Sequence, residues 1–403
     1  MPIINSLCDT DLYKFPMTQV AFHQYPAAWA KYKFKCRNGN GFPTGLDKFR
    51  FMGILKEEID HLCTLKFTKD ELGFLGSLGF LSVDFIHFLR LFQLNRDYIE
   101  INHNRDKDEL EIVAEGPIPH VELFETLVLS IVSQLITTNN KDYNPEKAHI
   151  IFAQNTNEKI KKILEFNEKH GTDIPFTMAE FGGRRRSSYD DHNYLTMFLK
   201  ERLPINYVGT SNVHMAMKHG LKAIGTMAHS YLQAFQQLGG RLEDSQKAAL
   251  DAWAREFRGA LGIALTDVVG VDAFLRNFDL YFAKLFDGCR HDSGNPFEWG
   301  NKLIDHYKSL RINPMTKTAV FSDGLTIDSA LGIYLSFLGK IKTSFGIGTH
   351  LTNDCGVKPA NIVMKMVECN HRPVAKISDS EGKGMCENED FLNYLKFVFN
   401  IKK

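Results

Sequence analysis

The sequence predicts an α/β protein: an irregular, seven-stranded α/β barrel with an N-terminal α+β antiparallel-sheet layer ahead of it, joined by a C-terminal hairpin. Three features carry this reading. Residues 28–37 (AWAKYKFKCR) alternate strictly, with Ala30, Tyr32, Phe34 and Cys36 apolar and Lys31, Lys33, Lys35 and Arg37 charged, the period of a strand with one wet face. After Gly116-Pro117 the texture changes to short apolar strands separated by helical segments, which implies repeated βα units and a parallel sheet. Nearly every strand end carries polar or glycine-rich residues (GGRRR, GTSN, GTMAH, LTD, RHDSG, SDG, GIGT). A barrel gathers all such ends on one face, whereas an open sheet uses only its switch point.

Helical patterns run over 12–25, 46–62, 68–78 and 82–93, with Thr68 and Glu71 spaced as a capping box, and strands follow at 97–102 and 109–114. Strand candidates then end near Phe181, Gly209, Thr226, Asp267, His291, Ser322 and Gly346. Residues 361–369 and 373–378 form a hairpin across Asn370-His371-Arg372. The chain accordingly divides into an α+β domain (1–116), the barrel (117–355) and a C-terminal segment (356–403) that returns to the first layer.

Lys+Arg and Asp+Glu both number 48 in 403 residues, so the global basic excess of a nucleic-acid binder is missing and any anionic ligand must be met locally. The seven cysteines are scattered without a CxxC pair or zinc spacing, which points to a reduced, cytoplasmic protein. The first residues lack a basic n-region and apolar h-region, and the apolar stretches 74–94 and 121–136 are interrupted by Asp84, His87 and Arg90 or by Glu122 and Glu125. Neither secretion nor a membrane span is expected.

Gly346-Ile347-Gly348-Thr349 follows an apolar strand, where glycines let backbone approach a phosphate and Thr349 adds a hydroxyl; an ordinary turn would read the same way. Arg184, Arg185 and Arg186 follow two glycines, and the planar fork of arginine suits phosphate or carboxylate, though three consecutive residues cannot all face one ligand. Arg290 and Asp292, two apart at a strand end, share one face and can offer a fork and an acceptor for ribose hydroxyls or Mg²⁺-bound water; a structural ion pair is the alternative. Asp323 is a second acceptor candidate. His229 and His291 both sit at βα junctions suited to acid/base or nucleophilic work, and spacing does not rank them.

In this order, DTDLYK (9–14), FGGRRR (181–186), VGTSN (208–212), GTMAH (225–229), GALGIALTD (259–267), RHDSG (290–294), FSDGL (321–325), SFGIGTHLTND (344–354) and VKPANIVMKMVECN (357–370) resemble the bacterial nicotinate phosphoribosyltransferase family, over almost the whole chain. The resemblance implies the type II phosphoribosyltransferase fold and ATP-coupled joining of nicotinate to 5-phosphoribosyl-1-diphosphate (PRPP) in NAD salvage, with Mg²⁺ present. It implies that His229 is phosphorylated by ATP and that Tyr13, Thr226 and Arg290 contact nicotinate. Gly346, Gly348 and Thr349 would cradle the 5′-phosphate, Arg184 would hold diphosphate and Asp292 ribose. Because in this fold the DLYK tyrosine reaches a partner's barrel, Tyr13 implies a homodimer.

Ser211 stands where the related nicotinamide enzyme has an aspartate. A carboxylate there would repel that of nicotinate by about 4 kcal/mol at 4 Å for an effective dielectric near 20, whereas serine can donate, so nicotinate should be preferred. Two positions depart from the family pattern, Asn295 for an aspartate and Gly183 for a threonine. The competing readings are a nicotinamide or quinolinate phosphoribosyltransferase, or a non-catalytic barrel sensing PRPP or nicotinate mononucleotide.

Overall fold

The computed structural model describes residues 2–171, 173–380, 384 and 386–401. Two sheets organise it. The antiparallel sheet contains β1 (Trp29–Cys36), β2 (Ile99–Asn104), β3 (Glu109–Pro117), β10 (Ile362–Cys369) and β11 (Arg372–Pro373) in the order β11-β10-β1-β3-β2. The alternation of 28–37 becomes burial: Ala30, Tyr32 and Phe34 face the core while Lys31, Lys33 and Lys35 keep solvent contact. β10 adds antiparallel to β1, Phe34 opposite Met364, so residues far apart in sequence complete one layer. Thr68 and Glu71 exchange both capping-box bonds at the start of the helix Lys69–Ser77.

The parallel sheet contains β4 (Met178–Glu180), β5 (Tyr207–Thr210), β6 (Ile263–Leu265), β7 (Gly288–His291), β8 (Thr318–Phe321) and β9 (Lys342–Ile347), ordered β5-β4-β9-β8-β7-β6 with every pairing parallel. Six of the seven expected strands are therefore formed. The one expected to end near Thr226 is reduced to a bridge between Ala223 and Thr210, and among the described residues backbone pairing does not close a barrel. The physical reason is competition from the N-terminal segment. Leu12 N–H donates to the Ser211 carbonyl at 2.7 Å, Val213 N–H to that of Thr10 at 3.0 Å, and a Cβ on Gly225 would sit 3.1 Å from the Tyr13 nitrogen. Residues 10–13 thus occupy the position that would let 222–226 run on as a strand.

Two apolar cores back the sheets. The first residues through the helix Phe124–Thr138 pack with β10, and the βα units pack with the C-terminal helix Glu389–Val398 through Leu395. The stretch 118–138 is apolar enough to span a membrane by length and composition, yet 89% of its apolar 18-residue window is buried inside the protein. Its Glu122 and Glu125 both pair with the fully buried Lys14, which removes the cost of burying three charges singly.

Candidate active site

Parallel pairing sends the ends of β4 to β9 to one edge, where the loops after β4, β5, β7, β8 and β9 surround a cavity of about 400 Å³. The opposite wall comes from Tyr13, Glu125 and the start of β10. Adjacent strands set which loops touch: β4 beside β9 presses Gly182 against Gly348, where a Cβ would stand 2.7 Å from the Gly348 carbonyl carbon. Only glycine fits there.

The cavity is cationic beyond its carboxylates. Arg184 donates to Asp11 at 2.9 Å, and Arg185 donates through Nε to the Ile362 carbonyl at 2.9 Å, with burial, then Arg184 and Arg37, pushing its pKa down to about 10. Arg290 makes no hydrogen bond or ion pair with the described residues, and its Nε is buried without a partner. A half-buried guanidinium with a buried, unpaired Nε is a donor set for an anionic ligand in the cavity. Lys365, on β10, also lines the cavity without an ion pair among the described residues; burial, opposed by Glu125 and reinforced by Lys376, lowers its pKa to about 8. Arg186 turns away into a buried bidentate pair with Asp9, both bonds 2.7 Å.

His229 opens the helix His229–Leu238 and lines the cavity. Its Nε2 lies 2.8 Å from Oδ1 of Asp267 and 3.5 Å from Oδ2 of Asp292. Burial, with Lys376, pushes its pKa down to about 4, so the imidazole is neutral near pH 7. Asp267 is held well below the usual carboxylate range: burial opposes ionisation, but His229 and Lys376 outweigh it. Asp292 accepts from Ser322 at 2.8 Å and stays ionised because Arg290 and His229 overcome its burial. His291 is instead packed between Trp299 and Phe321 with Nε2 on the Gly294 carbonyl, which separates it from His229.

Tyr13 and Phe181 supply aromatic surface, and Gly348, Thr349 and the loop 324–326 line the part served by β8 and β9. Thr349 opens a one-turn helix whose first N–H groups have no intrahelical acceptor.

Models of the nicotinate phosphoribosyltransferase (NAPRTase) family match residues 176–403, and of its N-terminal domain residues 8–133. Nicotinate phosphoribosyltransferases of Chromobacterium violaceum and Xylella fastidiosa (strain 9a5c) are each 48% identical, covering 99% of this chain and 98% of the relative. The crystal structure of nicotinate phosphoribosyltransferase from Vibrio cholerae superposes with a TM-score of 0.93 at 38% identity, covering 100% of this chain and 95% of that one. That from Porphyromonas gingivalis gives 0.89 at 34%, over 99% and 100%. The chain belongs to the nicotinate phosphoribosyltransferase family. It is a transferase of pyridine-nucleotide biosynthesis.

Several family motif residues sit differently from the sequence-based expectation. Tyr13 lines the cavity built by its own chain, because residues 10–13 insert beside β5. The Thr226 hydroxyl donates to the Ile263 carbonyl at 2.9 Å and bridges 222–226 to β6. Ser211 lines the cavity, but its hydroxyl donates to Asp11. Gly346 lies behind Phe181, whose ring a Cβ would meet at 2.2 Å, so its smallness seats that ring. Asp323 lies beside His291, outside the cavity wall. Asn295 caps the helix Pro296–Ser309, and a Cβ on Gly183 would stand 3.2 Å from Asn212 and His192.

His229, Asp267 and Asp292 bring donor atoms within 4.8 Å of one another. Direct Mg²⁺ ligation does not fit them: Asp267 Oδ2 already takes the Lys376 ammonium at 2.7 Å and the Ser293 hydroxyl at 2.6 Å, and Mg²⁺ favours oxygen over imidazole. The donor set suits Mg²⁺ that arrives bound to substrate phosphates and water.

Proposed function

We propose that this cavity joins nicotinate to PRPP, giving nicotinate mononucleotide and diphosphate for NAD salvage, and that ATP hydrolysis is coupled to the step through a phosphate carried on His229. The observation that supports it best is the Arg290 fork, without a hydrogen-bond acceptor for its side chain among the described residues, sharing one cavity with two aromatic walls, a clustered cationic rim and a neutral histidine.

Tyr13 and Phe181 offer faces for a pyridine ring, and Arg290 a fork for its carboxylate. The ring nitrogen's lone pair forms the bond to ribose C1 as the C1–oxygen bond breaks, its electrons leaving with diphosphate. No protein base is required. Asp292 holds ribose hydroxyls and offsets the cationic sugar of an oxocarbenium-like state, while Arg184, Arg185 and Lys365 receive the departing charge. Thr349, Gly348 and the loop 324–326 take the 5′-phosphate. Mg²⁺ enters with PRPP and ATP and supplies charge neutralisation. The working enzyme in this reading is a homodimer, as the family resemblance implies, and seven free cysteines suit a reducing, cytoplasmic setting.

Incubation with γ-labelled ATP should leave acid-labile, base-stable label on His229, together with nicotinate-dependent diphosphate release. His229→Ala should lose label and ATP stimulation while a slow ATP-independent transfer persists. Binding of PRPP without diphosphate release would favour a sensor, and faster turnover of nicotinamide or quinolinate in a substrate panel would reassign the base.

A further inference from the structure

One strap, residues 375–380, ties together the three elements that carry His229, Asp267 and Asp292. Gln236, on the helix of His229, exchanges two hydrogen bonds with the backbone of Ala375, both 2.8 Å. Ile377 N–H donates to the Val268 carbonyl at 2.8 Å, and Val271 N–H to the Asp379 carboxylate at 3.1 Å, fixing the loop after β6. Asp379 N–H donates to the Ser293 hydroxyl at 3.1 Å and Gly294 N–H to that of Ser380 at 2.9 Å, fixing the loop after β7.

Lys376 lies within this strap, only 6% exposed, and places Nζ 2.7 Å from Oδ2 of Asp267. Ser293 donates to the same oxygen at 2.6 Å. Oδ2 is therefore filled, and Oδ1 is left to face Nε2 of His229 at 2.8 Å. His229 Nδ1 has no hydrogen-bond partner among the described residues. A surface ion pair would not be built this way; Lys376 is buried to hold one carboxylate in one orientation.

We propose that Lys376 is a positioning residue for His229, fixing Asp267 as a carboxylate with one available oxygen so that the imidazole keeps its proton on Nε2 and its lone pair on Nδ1. This rests on the reading of His229 as phosphate carrier. In that step the Nδ1 lone pair forms the N–P bond to the γ-phosphorus of ATP, the bond to the β–γ bridging oxygen breaks, and its electrons leave with ADP. The ring keeps Nε2–H and becomes cationic, offset by Asp267. Because the ammonium makes Asp267 a poor base, the proton stays on the ring and the N–P bond stays labile. Water then attacks phosphorus, and the N–P electrons return to Nδ1 as phosphate departs.

The charged groups facing the imidazole are Asp267, Asp292 and Lys376, with Arg290 beyond Asp292 and Tyr13, Glu125 and Lys365 on the remaining wall. Lys376 is the only cation in direct contact with Asp267 among the described residues.

Phosphohistidine formation from labelled ATP is measured across the acid range for wild type, Lys376→Met and Lys376→Arg. In the wild type the acid limb should fall near about 4. Lys376→Met should move it upward by about one pH unit or more, a tenfold gain in proton affinity, whereas Lys376→Arg should keep it in place. An unmoved limb in folded Lys376→Met, or an equal shift in Lys376→Arg, overturns the proposal. Should the methionine variant not fold, ¹⁵N NMR of histidine-labelled wild-type protein, with His229 assigned by its loss in His229→Gln, reads the tautomer directly: Nε2–H supports the proposal and Nδ1–H overturns it. Wild-type protein that takes no label while showing the Nε2–H tautomer counts against the phosphate-carrier reading and leaves the Lys376 assignment standing.

Discussion

Arg184 donates to Oδ2 of Asp11 at 2.9 Å, and the other oxygen of Asp11 accepts from Ser211. The hydroxyl at 211 therefore serves Asp11, and it is Arg184 that neutralises the carboxylate nearest to it. Ser211→Ala should cost less than about tenfold in kcat/KM for nicotinate, the scale of one neutral hydrogen bond. Ser211→Asp sets two carboxylates against one guanidinium; with about 4 kcal/mol per uncompensated pair at 4 Å, a loss of about 100-fold or more is expected. Steady-state assays with labelled nicotinate decide it. A loss in the alanine variant as large as in the aspartate variant would put the hydroxyl on the substrate instead.

The Arg290 side chain has no hydrogen bond or close ion pair to lose among the described residues, only its longer-range attraction to Asp292, so its substitution largely separates binding from folding. Arg290→Lys keeps charge but not the planar fork, and nicotinate KM should rise about ten- to a hundredfold, the worth of a charge-assisted bond. Arg290→Met should change the thermal midpoint little, since no hydrogen bond is lost and only the longer-range attraction to Asp292 goes. A lower midpoint would mean that Arg290 serves the fold.

Much of this was legible because parallel strands put their last residues on one edge: glycine and polar motifs at 181–184, 290–292 and 348–349 read as site residues from position alone. The alternation of 28–37 announced a half-wet strand for the same geometric reason. What stayed hidden were side chains whose local sequence looks structural. Phe181 reads as a core aromatic, Lys365 as an interruption in the apolar run Ile362–Cys369, and Lys376 as part of the second hairpin strand 373–378, which the structure shortens to Arg372–Pro373. Their roles come from elements far apart in sequence, β10 against β4 and the strap against the loop after β6. The missing seventh strand has the same origin, since no local pattern around Thr226 reveals that residues 10–13 will lie against it.

Gly346 and Gly182 belong to neighbouring motif loops but answer to different neighbours. At Gly346 an added Cβ meets the Phe181 ring at 2.2 Å, so Gly346→Ala should displace that wall and raise nicotinate KM more than PRPP KM. At Gly182 it meets Thr352 Oγ1 at 2.2 Å and the Gly348 backbone at 2.7 Å, so Gly182→Ala should separate the two loops and raise PRPP KM more. Each should also cost about 1–3 kcal/mol of stability as overpacking. Equal effects of Gly346→Ala on both substrates would argue that Gly346 meets the phosphate directly.

Lys365 should make PRPP recognition weaken at alkaline pH. Its folded-state pKa, about 8, lies below the ordinary lysine value. Between about 8 and about 10.4 the unfolded chain holds the proton that the ligand-free protein has released, so this group makes stability rise with pH in that window. The cationic rim weakens over the same interval, because the ammonium is lost as pH passes about 8. An arriving polyanion must draw the proton back, and PRPP KM should therefore climb above about pH 8, approaching tenfold per pH unit at most. Lys365→Arg, which stays charged, should flatten that limb while keeping the neutral-pH KM within about tenfold. An alkaline limb that survives in Lys365→Arg would assign the titration to substrate or to another group.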